Sequence, residues 1–304
     1  MKRAFQIFFI TLAIFFAASL FMGIGGMIAV FDPPEERVGK ASILALDLDG
    51  VITDGKEFLD LLRKYRKEDR IKGILIRINS PGGVVGPSQE IYAEIKRTRE
   101  EFKKPVIAFC GAVAASGAFY AAVAADKIVT NPGCMIGSIG VLMEFVNLEH
   151  LYEWAKIQRY ALTTGKYKDA GAEYKPLTGE QRALFQDLID DVLLQFKQAI
   201  VEGRRLKMDF VSQYSDGRVF TGSQAIKLGF ADQIGTWDDA RKLLGEMTGL
   251  GENPEVFKAK KRRGLMDVFD DATAESKISK FVRGAMASEL NARPLFLMPG
   301  AVTF

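Results

Sequence analysis

Val106-Ile-Ala-Phe-Cys-Gly-Ala-Val-Ala-Ala-Ser-Gly-Ala-Phe-Tyr120 decides how the chain is read. The apolar run Val106 to Cys110 predicts a strand, and the small residues after Ser116 predict a helix. A serine between alanine and glycine at such a strand-to-helix turn is poorly explained by packing. It can be a helix cap, a role serine often fills. It can also be a nucleophile. Its hydroxyl then projects from the element's end, its small neighbours admit a substrate backbone, and first-turn N–H groups face a developing oxyanion. Ala114 to Tyr120 by itself fits a cap; the surrounding sequence favours the nucleophile.

Outward from this turn, strands and helices alternate. Ile43 to Val51 alternates apolar and polar residues as a half-buried strand does, and Phe58 to Arg70 follows as a charged amphipathic helix. Ile74 to Ile78 is a strand ending in Asn79-Ser-Pro-Gly-Gly83, followed by a helix from Ser88 to Glu101. Ile128-Val129 is a short strand before the loop Asn131 to Gly140. This alternation predicts an α/β fold with parallel strands, whose active groups gather at the strands' carboxyl ends. Asn79–Gly83, Ser116 and Ser138 all fall at such ends.

Further on, Leu148 to Ile157 reads as a helix and Arg159 to Leu162 as a short strand. Thr178-x-x-Gln181 is a capping box opening a helix to about Leu206. Its row Leu184, Leu188, Val192, Phe196 and Ile200 is expected to be core. Gly217 to Gly235 holds a short strand, a helix and a glycine stop, and Asp238 to Met247 is a last regular helix. Beyond Gly251 the pattern weakens into the cationic run Lys258–Arg263 and an accessory helix, Asp267 to Met286.

A chain of 304 residues, 48% hydrophobic, can bury a full core. The net charge of +3 gives no field for nucleic acid. Two cysteines, Cys110 and Cys134, make neither a disulfide framework nor a metal cluster, and a single histidine excludes a multi-histidine zinc site. At the start, Lys2-Arg3 precedes 28 uncharged residues, Ala4 to Phe31. As a helix these would span ~42 Å against a hydrocarbon core of ~30 Å, which fits an uncleaved anchor. Ala17-Ala-Ser19 and the Gly23–Gly26 cluster keep cleavage open. Lys2 and Arg3 are balanced by Arg37 and Lys40, so orientation rests on geometry: a three-residue cationic head stays inside and the bulk of the chain lies outside. Asp32-Pro-Pro-Glu-Glu36 reads as a linker.

A serine nucleophile needs a base. The sole histidine, His150, sits at a charged helix start and reads as a surface residue. The other solution is a lysine kept neutral by desolvation, and Lys166 and Lys168 lie in one polar loop after Ser116. Bringing a lysine from ~10.4 to near 7 costs about 4–5 kcal/mol, so that loop has to be covered. Ser138 can fix the direction of the amine. The Pro81-Gly82-Gly83 turn leaves backbone N–H groups open, as an oxyanion hole requires. Ala115, Gly82 and Met135 are candidates for a narrow, apolar substrate groove.

Ser80-Pro-Gly-Gly83, Ala115-Ser-Gly117, Asn131-Pro-Gly133, Gly137-Ser-Ile-Gly-Val141, Gly165-x-x-Lys168-Asp169 and Asp216-Gly-Arg-Val-Phe-Thr-Gly222 resemble, in order, the signal peptide peptidase A family. The resemblance runs from about Ile43 to Leu244 and is to the short, one-copy form. It implies a crotonase/Clp protease-like fold of repeated ββα units behind one N-terminal transmembrane helix. It implies Ser116 as nucleophile, Lys168 rather than Lys166 as general base, Ser138 as the serine orienting that lysine, and Gly83 and Gly117 as oxyanion donors. It implies no cofactor and no metal. The substrates would be cleaved signal peptides left in the membrane. The serine and lysine would meet across neighbouring units of a homo-oligomeric ring. The setting would be the bacterial inner membrane, crossed once, with the N-terminus inside and the catalytic domain outside the cytoplasm.

The layout expected is a head (1–3), an anchor (4–31), a linker (32–42), a peptidase domain (43–250) and a basic, amphipathic extension (251–304). Thr164, Cys134 and the apolar stretch Leu295 to Phe304 depart from the family pattern. A crotonase-type acyl-CoA enzyme and a catalytically inactive membrane scaffold are the alternatives.

Overall fold

Period-two burial sets the architecture. In β1 (Ser42–Asp49), Leu44, Leu46 and Leu48 face one core while Ile43 faces another. β2 (Ile71–Ser80) repeats the pattern with Ile74, Ile76 and Ile78 against Leu75. In β4 (Val106–Ala115), Val106, Ala108 and Cys110 oppose Ile107 and Phe109. Strands apolar on both faces must be covered on both, which is the condition of a parallel sheet. The computed structural model describes residues 38–259 and the backbone of 295–297.

The sheet runs β7-β6-β4-β2-β1-β9, with β7 (Val219–Thr221), β6 (Met135–Gly137) and β9 (Val256–Lys258) completing that order. All neighbours are parallel except β6 and β7. β4 shares one edge between two partners. Ile107–Cys110 pair with β5 (Lys127–Thr130), which in turn carries β8 (Gln233–Ile234), and Val113–Ala115 pair with β6. That second ladder extends β4 five residues beyond the predicted strand, up to the residue before Ser116.

The larger core lies between the sheet and a helical layer: α1 (Lys56–Tyr65), α2 (Val85–Glu100), α3 (Gly117–Ala122) and α5 (Gly179–Arg204). The smaller core lies under α8 (Trp237–Thr248), which puts Ala240 and Leu244 on Ile43, Leu75, Ile107, Phe109 and Val129. The remaining helices are short: α4 (Glu149–Trp154), α6 (Met208–Gln213) and α7 (Gly222–Lys227). Among the described residues, two opposite charges are buried together in the helical layer, Arg66 and Glu94. Glu94 accepts from Arg66 at 2.5 Å, from Arg97 at 2.5 Å and from Arg63 at 3.3 Å. Burial alone would raise its carboxyl pKa; the three guanidinium groups outweigh it and hold the carboxyl below its usual range.

Two expectations are corrected. Arg159–Leu162 forms no strand: the residues are exposed, and a short run without a partner edge has nothing to pair with. The α5 row is core only in its second half, where Phe196 and Ile200 are fully buried, while Leu184 and Leu188 are 42% and 41% exposed. The Thr178–Gln181 capping box forms as predicted. The expected anchor, most of the linker and the helix at 267–286 lie outside the described residues. No helix among the described residues is long and apolar enough to cross a membrane.

Candidate active site

Three adjacent strand ends converge. β2 pairs with β4 so that Ser80 lies opposite Ala114, and β4 pairs with β6 so that Ala115 lies opposite Gly137. Ser116 and Ser138 are the next residues of those last two strands, about one strand spacing (~4.8 Å) apart. Both are buried, at 1% and 2% exposure.

Ser116 adopts φ 53°, ψ −119°, a backbone costly for any residue but glycine. It is held there from both sides. Its N–H donates to the Gly137 carbonyl at 2.7 Å, and its own carbonyl accepts from Tyr120 at 2.8 Å, closing the first turn of α3. Ala114, Ala115, Gly117 and Ala118 leave room for the sharp reversal. The hydroxyl does not cap the helix. Its Oγ is buried without a hydrogen-bond partner among the described residues. An orphaned buried hydroxyl is unfavourable, and a strained one more so; such features concentrate at sites of chemistry.

Ser138 also has positive φ, 50°, after Gly137 at 101°. Its N–H donates to the Arg218 carbonyl at 2.8 Å, which ties it to the loop before β7. Ser138 lines a cavity of about 240 Å³ together with Gly140, Val141, Gln186, Asp190 and Asp216.

The third strand end carries β3 (Gly82–Val84). The Ser80 hydroxyl accepts from the Gly82 N–H at 3.1 Å and shapes the turn, in which Gly82 has φ 99°. Ile52 grips β3 from one side: its N–H donates to the Gly82 carbonyl at 2.9 Å, and its carbonyl accepts from Val84 at 2.7 Å. A Cβ on Gly83 would sit 2.1 Å from the Ile52 carbonyl oxygen, so only glycine fits. β3 also lies beside α3. Met135, at the start of β6, is 42% exposed, while Gly82 and Ala115 are buried.

Sequence reasoning assigns no role in the site to Ser80, Gly137, Ile52 or the Arg218 carbonyl, although Ser80, Gly137 and Arg218 stand in the family motifs. Ser80 and Gly137 had a signal, a serine before Pro-Gly-Gly and a glycine before serine. Ile52 and Arg218 act through backbone atoms, which leave none.

Lys168 is not brought to this cluster. It is exposed, and its side chain makes no hydrogen bond or ion pair among the described residues. Its neighbour Lys166 is held by Glu180 at 2.5 Å, which raises its pKa and fixes its charge. Asp169 accepts from Lys175 at 2.6 Å and from Tyr174 at 3.1 Å. His150 is a surface residue at 91% side-chain exposure, beside Glu153. Cys110 and Cys134 are unbonded, and burial pushes both thiols up, Cys134 to about 11, so neither supplies a thiolate.

A parallel sheet whose strand ends present a strained, buried serine beside a glycine turn has the layout on which serine hydrolases of the α/β class are built. Residues 98–251 match peptidase family S49 and residues 53–137 match the Clp protease family. The chain is 38% identical over 219 residues to an inferred protease of Synechocystis, covering 71% of this chain and 78% of that one. It is 30% identical to an inferred signal peptide peptidase SppA of Enterococcus faecium, covering 68% and 63%. It is 32% identical to the chloroplastic serine protease SPPA of Arabidopsis thaliana, covering 69% of this chain but 31% of the plant protein. The chain belongs to peptidase family S49. It is a protease with a Clp-protease-like domain, and its substrates are peptides.

Proposed function

We propose that the chain is a serine endopeptidase working through a Ser116–Lys168 dyad. The observation that carries this is Ser116 itself: a strained, buried hydroxyl with no partner among the described residues, one strand from Ser138 and beside the Gly83 turn. The neutral Lys168 amine takes the Ser116 proton as Oγ attacks the peptide carbonyl carbon. The N–H groups of Gly83 and Gly117 stabilise the oxyanion. Lys168 then returns the proton to the leaving amine, and water releases the acyl group by the same route. Ser138 hydrogen-bonds the lysine and sets its direction.

The amine has to be desolvated to be neutral, and within one chain Lys168 is exposed. A neighbouring copy therefore brings Lys168 to the Ser138 side of the site. The cavity beside Ser138 offers the room, and the exposed apolar residues of the lysine-bearing segment offer the contact surface. Met135 and Ala115 make the groove apolar, with Gly82 allowing the peptide backbone close. Tethered by residues 4–31 outside the cytoplasm, such a protease meets cleaved signal peptides at the bilayer.

A fluorophosphonate probe tests the core of this reading. It should modify the peptide containing Ser116 in the wild-type chain, located by mass spectrometry. Absence of that adduct, with the chain folded, would favour an inactive scaffold. Thioester hydrolysis exceeding peptide hydrolysis would favour an acyl-CoA enzyme, a reading the peptidase family match already disfavours.

A further inference from the structure

The apolar stretch from Leu295 onward contributes a strand of its own, β10 (Leu295–Leu297). It pairs antiparallel with β3: Leu295 opposite Val84, Phe296 opposite Gly83, and Leu297 opposite Gly82. It also lies beside α3, the helix that Ser116 opens. β3 is short and central to the site, so whatever occupies its free edge occupies the place of an extended peptide.

Backbone alternation says which atoms meet. The Gly82 carbonyl and the Val84 N–H are already engaged by Ile52 on one side. In a strand, the N–H and C=O of the intervening residue point the other way, so both Gly83 groups face β10. Phe296–Gly83 is then the hydrogen-bonded pair of the ladder. The Gly83 N–H donates to the Phe296 carbonyl, and the Phe296 N–H donates to the Gly83 carbonyl. The group that the proposed mechanism assigns to the oxyanion is thus spent on a carbonyl of the same chain. Ser116, 1% exposed, is covered in this state, although a nucleophile has to be reached by its substrate.

We propose that residues 295–297 are a built-in competitor. They lie antiparallel along the β3 edge where a peptide would bind, with the Phe296 carbonyl in the position of the scissile one. A substrate has to displace them before Ser116 can react. This rests on the reading of Gly83 as oxyanion donor, but the pairing itself can be measured without catalysis.

The test uses the full chain in detergent and two proline variants. Phe296→Pro removes the N–H that donates to Gly83. Leu297→Pro removes an N–H that points away from β3 and serves as the control. Amide hydrogen exchange at Gly83 should be slow in the wild type and in Leu297→Pro, and roughly tenfold faster or more in Phe296→Pro. The rate of Ser116 labelling by the fluorophosphonate should rise about tenfold in Phe296→Pro alone. Equal Gly83 exchange in all three chains would overturn the proposal. So would a Gly83 amide released by Phe296→Pro without faster labelling of a serine that does label. Labelling absent from every chain would instead sink the nucleophile assignment, while Gly83 exchange still decides whether β10 holds this edge.

Discussion

Ser116 and Ser138 stand at the ends of neighbouring strands with at most 2% exposure, whereas Lys168 belongs to residues 141–180, among which none is buried. The first region is fixed by sheet register, by the Gly137–Ser116 and Arg218–Ser138 backbone bonds and by the Ile52 grip on β3. The second keeps its shape through local contacts such as Arg159–Glu173 and Lys175–Asp169, and turns Trp154, Tyr160 and Leu162 outward at 82%, 83% and 96% exposure. Large side chains at that exposure, in one 40-residue segment, mark a surface meant to be covered. One region carries its geometry alone; in the proposed assembly the other obtains it from a neighbour.

The largest effects are expected from removing either half of the proposed dyad. Ser116→Ala and Lys168→Ala should each lower peptide hydrolysis by ~10³-fold or more while leaving the melting temperature unchanged. Lys168→Arg should be as inactive, and Lys166→Ala, which loses an exposed Glu180 pair and the contact over the Tyr167 ring, should keep most activity. Mixing the two inactive chains under subunit exchange sharpens the comparison. About a quarter of wild-type activity should return, the chance that a serine-intact chain meets a lysine-intact neighbour. No recovery despite exchange would put serine and lysine in the same chain.

Gly83→Ala attacks the rigid region. Its Cβ would fall 2.1 Å from the Ile52 oxygen, so β3 must shift and the oxyanion donor with it. Hydrolysis should fall by ~10²–10³-fold. The melting temperature should drop as well, which the Ser116 variant would not show. An active Gly83→Ala enzyme would remove this turn from the site.

Much of the rigid region was legible in the sequence. Apolar runs ending in glycine and serine, separated by helix-length segments, imply parallel strands, and the motif residues then fall at one sheet edge without further information. The exposed region was legible only as chemistry. Arg159–Leu162 reads as a strand because a short apolar run is a local pattern, while a strand needs a neighbouring edge to pair with. Leu184 and Leu188 looked like core because periodicity reports an apolar face and not what covers it. β9 and β10 are three-residue strands, too short to carry a period, and the edges that bind them lie more than 200 residues earlier on β1 and β3.

A milder prediction concerns that exposed face. Trp154→Ser should raise the monomer fraction measured by light scattering and lower activity by roughly tenfold, with an effect that fades as protein concentration rises. Because Trp154 is 82% exposed, the single-chain stability should change by less than ~0.5 kcal/mol. Full activity in a demonstrably monomeric chain would defeat the assembly reading and, with it, the contrast between the two regions.

The smallest effect on activity is expected from Glu94→Gln, which probes stability on the rigid side only. Glu94 and Arg66 are 5% and 6% exposed, so the variant leaves a buried guanidinium facing a neutral amide. Breaking a buried pair in this way costs about 3 kcal/mol at neutral pH. The Glu94 carboxyl is held below its ordinary value in the folded chain, so the unfolded chain takes up a proton first as pH falls. The stability it contributes is therefore complete above the ordinary carboxylate value of ~4.3 and is lost as pH drops through the lower, folded value. Denaturant unfolding of wild type and Glu94→Gln should differ by those ~3 kcal/mol near pH 7, and the gap should narrow steadily as pH falls below the ordinary carboxylate value of ~4.3. At neutral pH and moderate temperature, hydrolysis by the variant should match wild type, since the ion pair touches neither Ser116 nor the lysine-bearing segment. A gap that stays constant across that pH range would mean that lost packing, and not the carboxylate's charge, accounts for the cost.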